Sequence, residues 1–180
     1  MLAETRKLAH VRGLHNVRTG NAKAEDLPFP DMSFDLATCR LAAHHFRSVL
    51  AFAAEAFRVL MPQGRLGLVD NISPQEDSVS AAYNTFEKLR DPSHGTCLSL
   101  DAWQATLEQA GFTLDHAETL DQDIEFAPWC ARMRCDALTE ARLRALLADD
   151  PLRSLLRPRD GEGGLAFTLQ EAIMIARKPV

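Results

Sequence analysis

The chain has 180 residues, 46% hydrophobic and 25% charged, and 20 Lys+Arg against 25 Asp+Glu give a formal net charge of −5. That suits one domain of about 100–200 residues, while no uncharged apolar run approaches the roughly 18 residues that cross a bilayer. The charges in Met1–Arg6 fall where a signal peptide would be apolar, so a cytoplasmic protein is expected, and scattered basic residues argue against nucleic acid or a membrane as partner.

Residues 2–12 carry Leu2, Leu8 and Val11 at helical spacing, and Gly13 follows as a C-terminal cap. Val17–Asn21 is a short strand candidate, 22–31 a loop with Pro28 and Pro30, and Phe34–Arg40 a second strand. Ser48 to Leu60 reads as a helix ended by Pro62-Gln63-Gly64, and Arg65–Asp70 as a third strand. Strand, helix, strand in that order implies a parallel pair with a right-handed crossover. Asp77–Leu89 and Ser99–Ala110 are helices, the second capped by Ser99 and closed by Gly111. Phe112–Thr119 is a fourth strand, 121–164 a helical insertion, and Glu171–Arg177 a last strand. Gly161-Glu162-Gly163-Gly164 is read as a turn. No repeat or linker divides the chain, so 1–180 is expected to be a single domain.

Cys39, Cys97, Cys130 and Cys135 include no C-x-x-C pair and read as reduced thiols. A metal site is not expected, because His44, His45, His94 and Cys97 lack metal-ligand spacing.

Three segments, in order and spacing, resemble the class I S-adenosylmethionine-dependent methyltransferases of the type 11, ubiquinone/menaquinone C-methyltransferase-like branch. They are the run Gly20–Asp35 (GNAKAEDLPFPDMSFD), Phe57–Leu66 (FRVLMPQGRL) and Gly111-Phe112. The resemblance implies an α/β, Rossmann-like seven-stranded sheet with helices on both faces and a cofactor across the carboxyl ends of the strands, where open sheets form a crevice. By position, Gly20, Asn21 and Ala22 resemble the segment beside the adenine, with Asn21 where the family usually has an acidic residue. Arg40, Leu41 and Ala42 resemble the segment under the methionine part, and an ordinary strand end is the plainer reading.

The family's first strand, its G-x-G-x-G turn, the next helix and the second strand should all precede the helix at residue 2, and the sequence carries none of them. An N-terminally truncated sheet is therefore expected, with S-adenosyl-L-methionine bound weakly or not at all. Either Met1 is an internal methionine, or the fragment closes up by rearrangement or by pairing with a second copy. A bared strand edge favours self-association as a homodimer.

Methyl transfer is an in-line displacement, and a base is needed only where the acceptor must lose a proton. His44 and His45, just past the second strand, and Asp70, at the end of the third, are the catalytic candidates, against backbone-bonded or capping roles. Tyr83, Glu87, Arg90 and His94 could line an acceptor site, or form a salt-bridged helix end. Trp129, in the insertion, is the candidate pocket aromatic, against simple core filling. The leading reading is a methyltransferase acting on a small molecule. A non-catalytic remnant used for dimerisation or partner binding comes second, and a nicotinamide-dependent oxidoreductase, without its glycine fingerprint, third.

Overall fold

The computed structural model describes residues 2–180. Helix α1 (Leu2–Val11) closes at Gly13, whose φ of +63° is a left-handed value that glycine adopts without strain. Among the described residues only Ala9 of this helix is buried, and Leu8 and Val11 are exposed. The expected strand Val17–Asn21 does not form. A strand persists only when a neighbour takes its backbone N–H and C=O groups, and here Val17 is exposed and Thr19 Oγ1 instead accepts from Arg6 Nε at 2.6 Å. The loop that follows is tied down by Arg58, which donates to Leu27 O (3.0 Å), Phe29 O (2.8 Å) and Asp31 Oδ1 (2.7 Å) while paired with Glu55.

Strand β1 (Phe34–Arg40), helix α2 (Val49–Val59) and strand β2 (Leu60–Asn71) form the expected parallel unit, with Leu36 opposite Arg65 and Arg40 opposite Val69. Ser48 caps α2, its Oγ accepting the Ala51 N–H at 3.1 Å. The strand starts at Leu60 rather than Arg65, because the chain passes from helix to strand through an irregular stretch at Met61–Gly64. A Cβ on Gly64 would stand 2.8 Å from Met61 O, so only glycine fits that bend.

Helices α3 (Asp77–Arg90) and α4 (Leu100–Gln109) follow, and Gly111, at φ +99°, turns the chain against the Phe57 ring into β3 (Thr113–Glu125). That strand runs past Thr119 because β5 (Gly164–Arg177) is long enough to pair with it antiparallel along its whole length. The insertion therefore begins after Glu125 and holds α5 (Phe126–Arg132), α6 (Ala137–Ala148), α7 (Leu152–Leu156) and the short strand β4 (Arg159–Gly161). The Gly161–Gly164 segment is the turn of the β4–β5 hairpin.

Among the described residues the sheet has five strands, not seven, in the order β1-β2-β5-β3 with β4 also on β5. Only β1 and β2 are parallel. Helices α2 and α4 cover one face, burying Phe52, Trp103 and Leu107 against Leu66, Leu68, Met174 and Ala176. Helices α3, α5, α6 and α7 bury Phe86, Phe126, Trp129 and Leu143 against Phe167 and Leu169, whose odd positions along β5 put them on the opposite face. Each fully buried phenylalanine contributes about 1.5–3 kcal/mol. β1 and β3 end the sheet, and Leu36 on β1 is 56% exposed. Among the described residues no helix is long and apolar enough to cross a membrane.

Candidate active site

Parallel pairing aligns the carboxyl ends of β1 and β2, so the residues just beyond Arg40 meet those at the end of β2. The Leu41 N–H donates to Val69 O at 2.8 Å, and Leu41 itself, at φ +48°, swings the chain into a 3₁₀ turn over Ala43–His45. That turn carries His44 onto Asp70. Asp70 is 1% exposed; its Oδ1 lies 2.5 Å from His44 Nδ1, and its Oδ2 accepts the His44 backbone N–H at 3.0 Å. Burial alone would push the His44 pKa down, but the hydrogen bond to Asp70 and its charge, aided by Glu87 and Asp91, outweigh it and raise the value.

The loop after α3 completes the wall. Gly95 and Thr96 donate their backbone N–H groups to His44 O at 2.8 and 3.1 Å, and a Cβ on Gly95 would meet that same oxygen at 2.9 Å. His45 Nδ1 sits 3.1 Å from Ser93 O, and its Nε2 4.0 Å from Asp91. His94 is buried behind His44, with ring centroids 5.5 Å apart, and its Nε2 lies 2.9 Å from Asn84 Oδ1. Burial and the neighbouring His44 and His45 push its pKa down to about 4, so His94 is a neutral structural ring.

Tyr83 and Glu87 are 1% and 3% exposed, and Tyr83 Oη and Glu87 Oε1 are buried without a hydrogen-bond partner. Both lie beneath the site rather than on its surface. Burial pushes Glu87 up to about 6, against the opposing pull of Arg90 and His44. Arg90 Nη1 is 3.5 Å from Glu87 Oε2, and its Cζ stands 4.5 Å above the Trp129 ring. Trp129, 2% exposed, stacks on Phe86 and meets Phe167 edge-on, so it fills the core and offers only an edge to the site.

These elements enclose a cleft of about 310 Å³. It brings together Leu41, His44, His45, Arg90 and Trp129 of the expected site residues, with Asp70 and Glu87 behind them. Arg40 is exposed at the end of β1 and Ala42 is half-buried beside the turn, and neither lines the cleft. Gly20, Asn21 and Ala22 are exposed in the loop before β1 and do not line it either. Sequence reading missed Ile124, Arg132, Met133, Leu169 and Glu171, which also line it. The late strand could be seen in the sequence, but its register against β2, which sets Glu171 opposite Asn71, has no local signal. Among the described residues no three His, Cys, Asp or Glu side chains cluster to hold a metal ion.

A methyltransferase domain model matches residues 1–68. The uncharacterized methyltransferase YcgJ of Bacillus subtilis is 38% identical over 132 residues, 73% of this chain and 52% of its own length, so the chain spans about half of that relative. The uncharacterized protein YafE of Escherichia coli is 37% identical over 142 residues, covering 78% of this chain and 69% of its own. The crystal structure of YcgJ superposes with a TM-score of 0.93 at 33% identity, over 100% of this chain and 79% of that one. The similarity therefore extends over both sheet faces and the insertion, well beyond the stretch matched by the domain model. The chain belongs to the class I, S-adenosylmethionine-dependent methyltransferase family.

Proposed function

We propose that the cleft binds a small-molecule methyl acceptor and that His44, oriented by Asp70, takes the proton the acceptor loses. The observation that carries this reading is the doubly bonded His44–Asp70 pair at the carboxyl ends of two parallel strands. With Nδ1–H committed to Asp70, the neutral ring keeps a lone pair on Nε2 for the cleft, and the raised pKa makes it a stronger base near neutrality. The apolar side chains of Leu41, Ile124, Met133 and Leu169 exclude water and hold the carbon frame of the acceptor.

S-adenosylmethionine, when bound, supplies a methyl group on a sulfonium. The residues suited to it are Arg40, Leu41 and Ala42 at the end of β1, with Gly20, Asn21 and Ala22 as candidates for the adenine side. The fit is partial. Among the described residues no glycine lines the cleft, and Gly20 stands in open space, so neither gives the close backbone approach that glycines permit. This stretch of chain is therefore expected to hold the cofactor weakly.

The test incubates the chain with methyl-labelled S-adenosylmethionine and a panel of hydroxyl- and amine-bearing metabolites, beside His44→Gln. Labelled product from the unaltered chain and its loss in the variant, with cofactor affinity unchanged in calorimetry, is the expected result. Equal product from both removes His44 from the reaction, and micromolar affinity overturns the weak-binding expectation. A second reading, a dimerising module, is favoured by the edge strand β1 with its exposed Leu36. Sedimentation showing a dimer supports it, and a monomer at high concentration counts against it.

A further inference from the structure

We infer that Glu87 is a positioning residue for this site: it fixes the Arg90 guanidinium against Trp129 and keeps a negative charge behind His44, without touching the acceptor. This rests on the reading of the cleft as the acceptor site.

The geometry is that of a buried anion paired with Arg90, and its charge also acts on His44. Arg90 is held on three sides: Nη1 lies 3.5 Å from Glu87 Oε2, Nε donates to Trp129 O at 3.4 Å, and Cζ sits 4.5 Å over the indole. A guanidinium pinned in this way presents its remaining N–H donors to the cleft in one orientation. Glu87 Oε1 has no hydrogen-bond partner, and Oε2 faces Arg90. A carboxylate this buried is costly unless cations compensate it. Arg90 supplies one, and protonated His44 supplies the other.

The titratable and charged groups facing Glu87 are Arg90 and Tyr83 of α3, Asp91 just after it, His44 of the 3₁₀ turn, and Cys97 of the loop before α4. Of these, only Arg90 and His44 favour its ionised form. As pH falls and Glu87 takes a proton, Arg90 loses its anchor and His44 loses an anionic neighbour together. The orientation of the cleft wall and the basicity of His44 are thus joined through one group that never reaches the acceptor.

The experiment is an NMR titration of the histidine ring Cε1–H signals in the intact chain, with His44 assigned by His44→Gln. In Glu87→Gln, which preserves volume and an acceptor for Arg90, the His44 midpoint should fall by about half a pH unit or more. Glu87→Asp should restore most of that fall. An unmoved His44 midpoint in a folded Glu87→Gln chain overturns the proposal. Should that variant not fold, the unaltered chain decides: its His44 signal should show a second inflection near pH 6, where Glu87 titrates, and a single inflection overturns the coupling. Because the signal follows protons rather than product, absent methyl transfer leaves this inference standing, and a silent titration ends it with the proposed activity intact.

Discussion

Asp70 holds His44 at two points: one carboxylate oxygen 2.5 Å from the ring Nδ1, the other accepting the backbone N–H of the same residue at 3.0 Å. Ring and main chain are thus fixed by a single buried anion. Either bond alone would leave the imidazole or the turn free to rotate.

Asp70→Asn removes the charge and can satisfy only one of the two donors through its amide oxygen. The substitution should cost about 2 kcal/mol of stability in urea unfolding and lower methyl transfer about 100-fold or more. A variant that keeps the full rate would exclude Asp70 from any role in orienting the base.

The buried ring of His94 gives a pH dependence of definite sign. Its folded pKa, pushed down from 6.5 to about 4, means that its contribution is fully present above pH 6.5 and is lost as pH falls through 4. The loss approaches about 3 kcal/mol at the acid limit. Glu87 and His44, whose folded pKa values are raised, act oppositely: what they contribute is present below their unfolded values and declines as pH rises. The measurement is therefore a difference. The stability gap between the unaltered chain and His94→Gln, followed from pH 7 to 4, should shrink steadily, and a constant gap would refute the assignment of a neutral buried ring.

Trp129→Ala should destabilise by about 3–5 kcal/mol in chemical unfolding, because the indole stacks on Phe86, abuts Phe167 and lies under Arg90. Trp129→Phe, which keeps the stacking area, should cost far less. A mild Trp129→Ala phenotype would show that the aromatic group is a pocket lining rather than part of the core.

Gly95→Ala tests the close approach of two backbone segments. The new methyl group would stand 2.9 Å from His44 O and 3.4 Å from Phe46 O, neither of which is a flexible side-chain tip. About 1–3 kcal/mol should be lost, and the His44 amide should exchange with solvent faster. Unchanged exchange would mean that the loop after α3 does not brace the turn.

The parts of the fold legible in the sequence are those with local chemistry. Ser99 announced its helix because a hydroxyl at the cap bonds a nearby N–H, the helix after Ser48 showed in its apolar spacing, and Gly111 marked a turn whose positive φ glycine adopts without strain. Val17–Asn21 had the look of a strand but no neighbour to pair with, which no stretch of five residues can reveal. β3 was read too short although Leu120 and Ile124 alternate with Asp121, Asp123 and Glu125 beyond Thr119, because Gln122 interrupts that apolar period and the strand is largely exposed. His44 and Asp70 could be named because one follows the end of β1 and the other sits at the end of β2, where α/β sites collect. Arg132 and Met133 could not, since the packing of α5 beside α3 carries them to the cleft from far along the chain.

The last strand acts as a ruler for the whole arrangement. β5 sets Glu171 opposite Asn71 on one side and Phe167 opposite Ile124 on the other, so one ladder calibrates both walls of the cleft. Sliding it by a single position would exchange Leu169 and Glu171 for Thr168 and Gln170, swapping an apolar group and a carboxylate for a hydroxyl and an amide. An extra residue in the surface turns between α5, α6 and α7 leaves that calibration untouched. The same residue inserted between Phe167 and Glu171 would misalign one wall against the other while every helix remained in place.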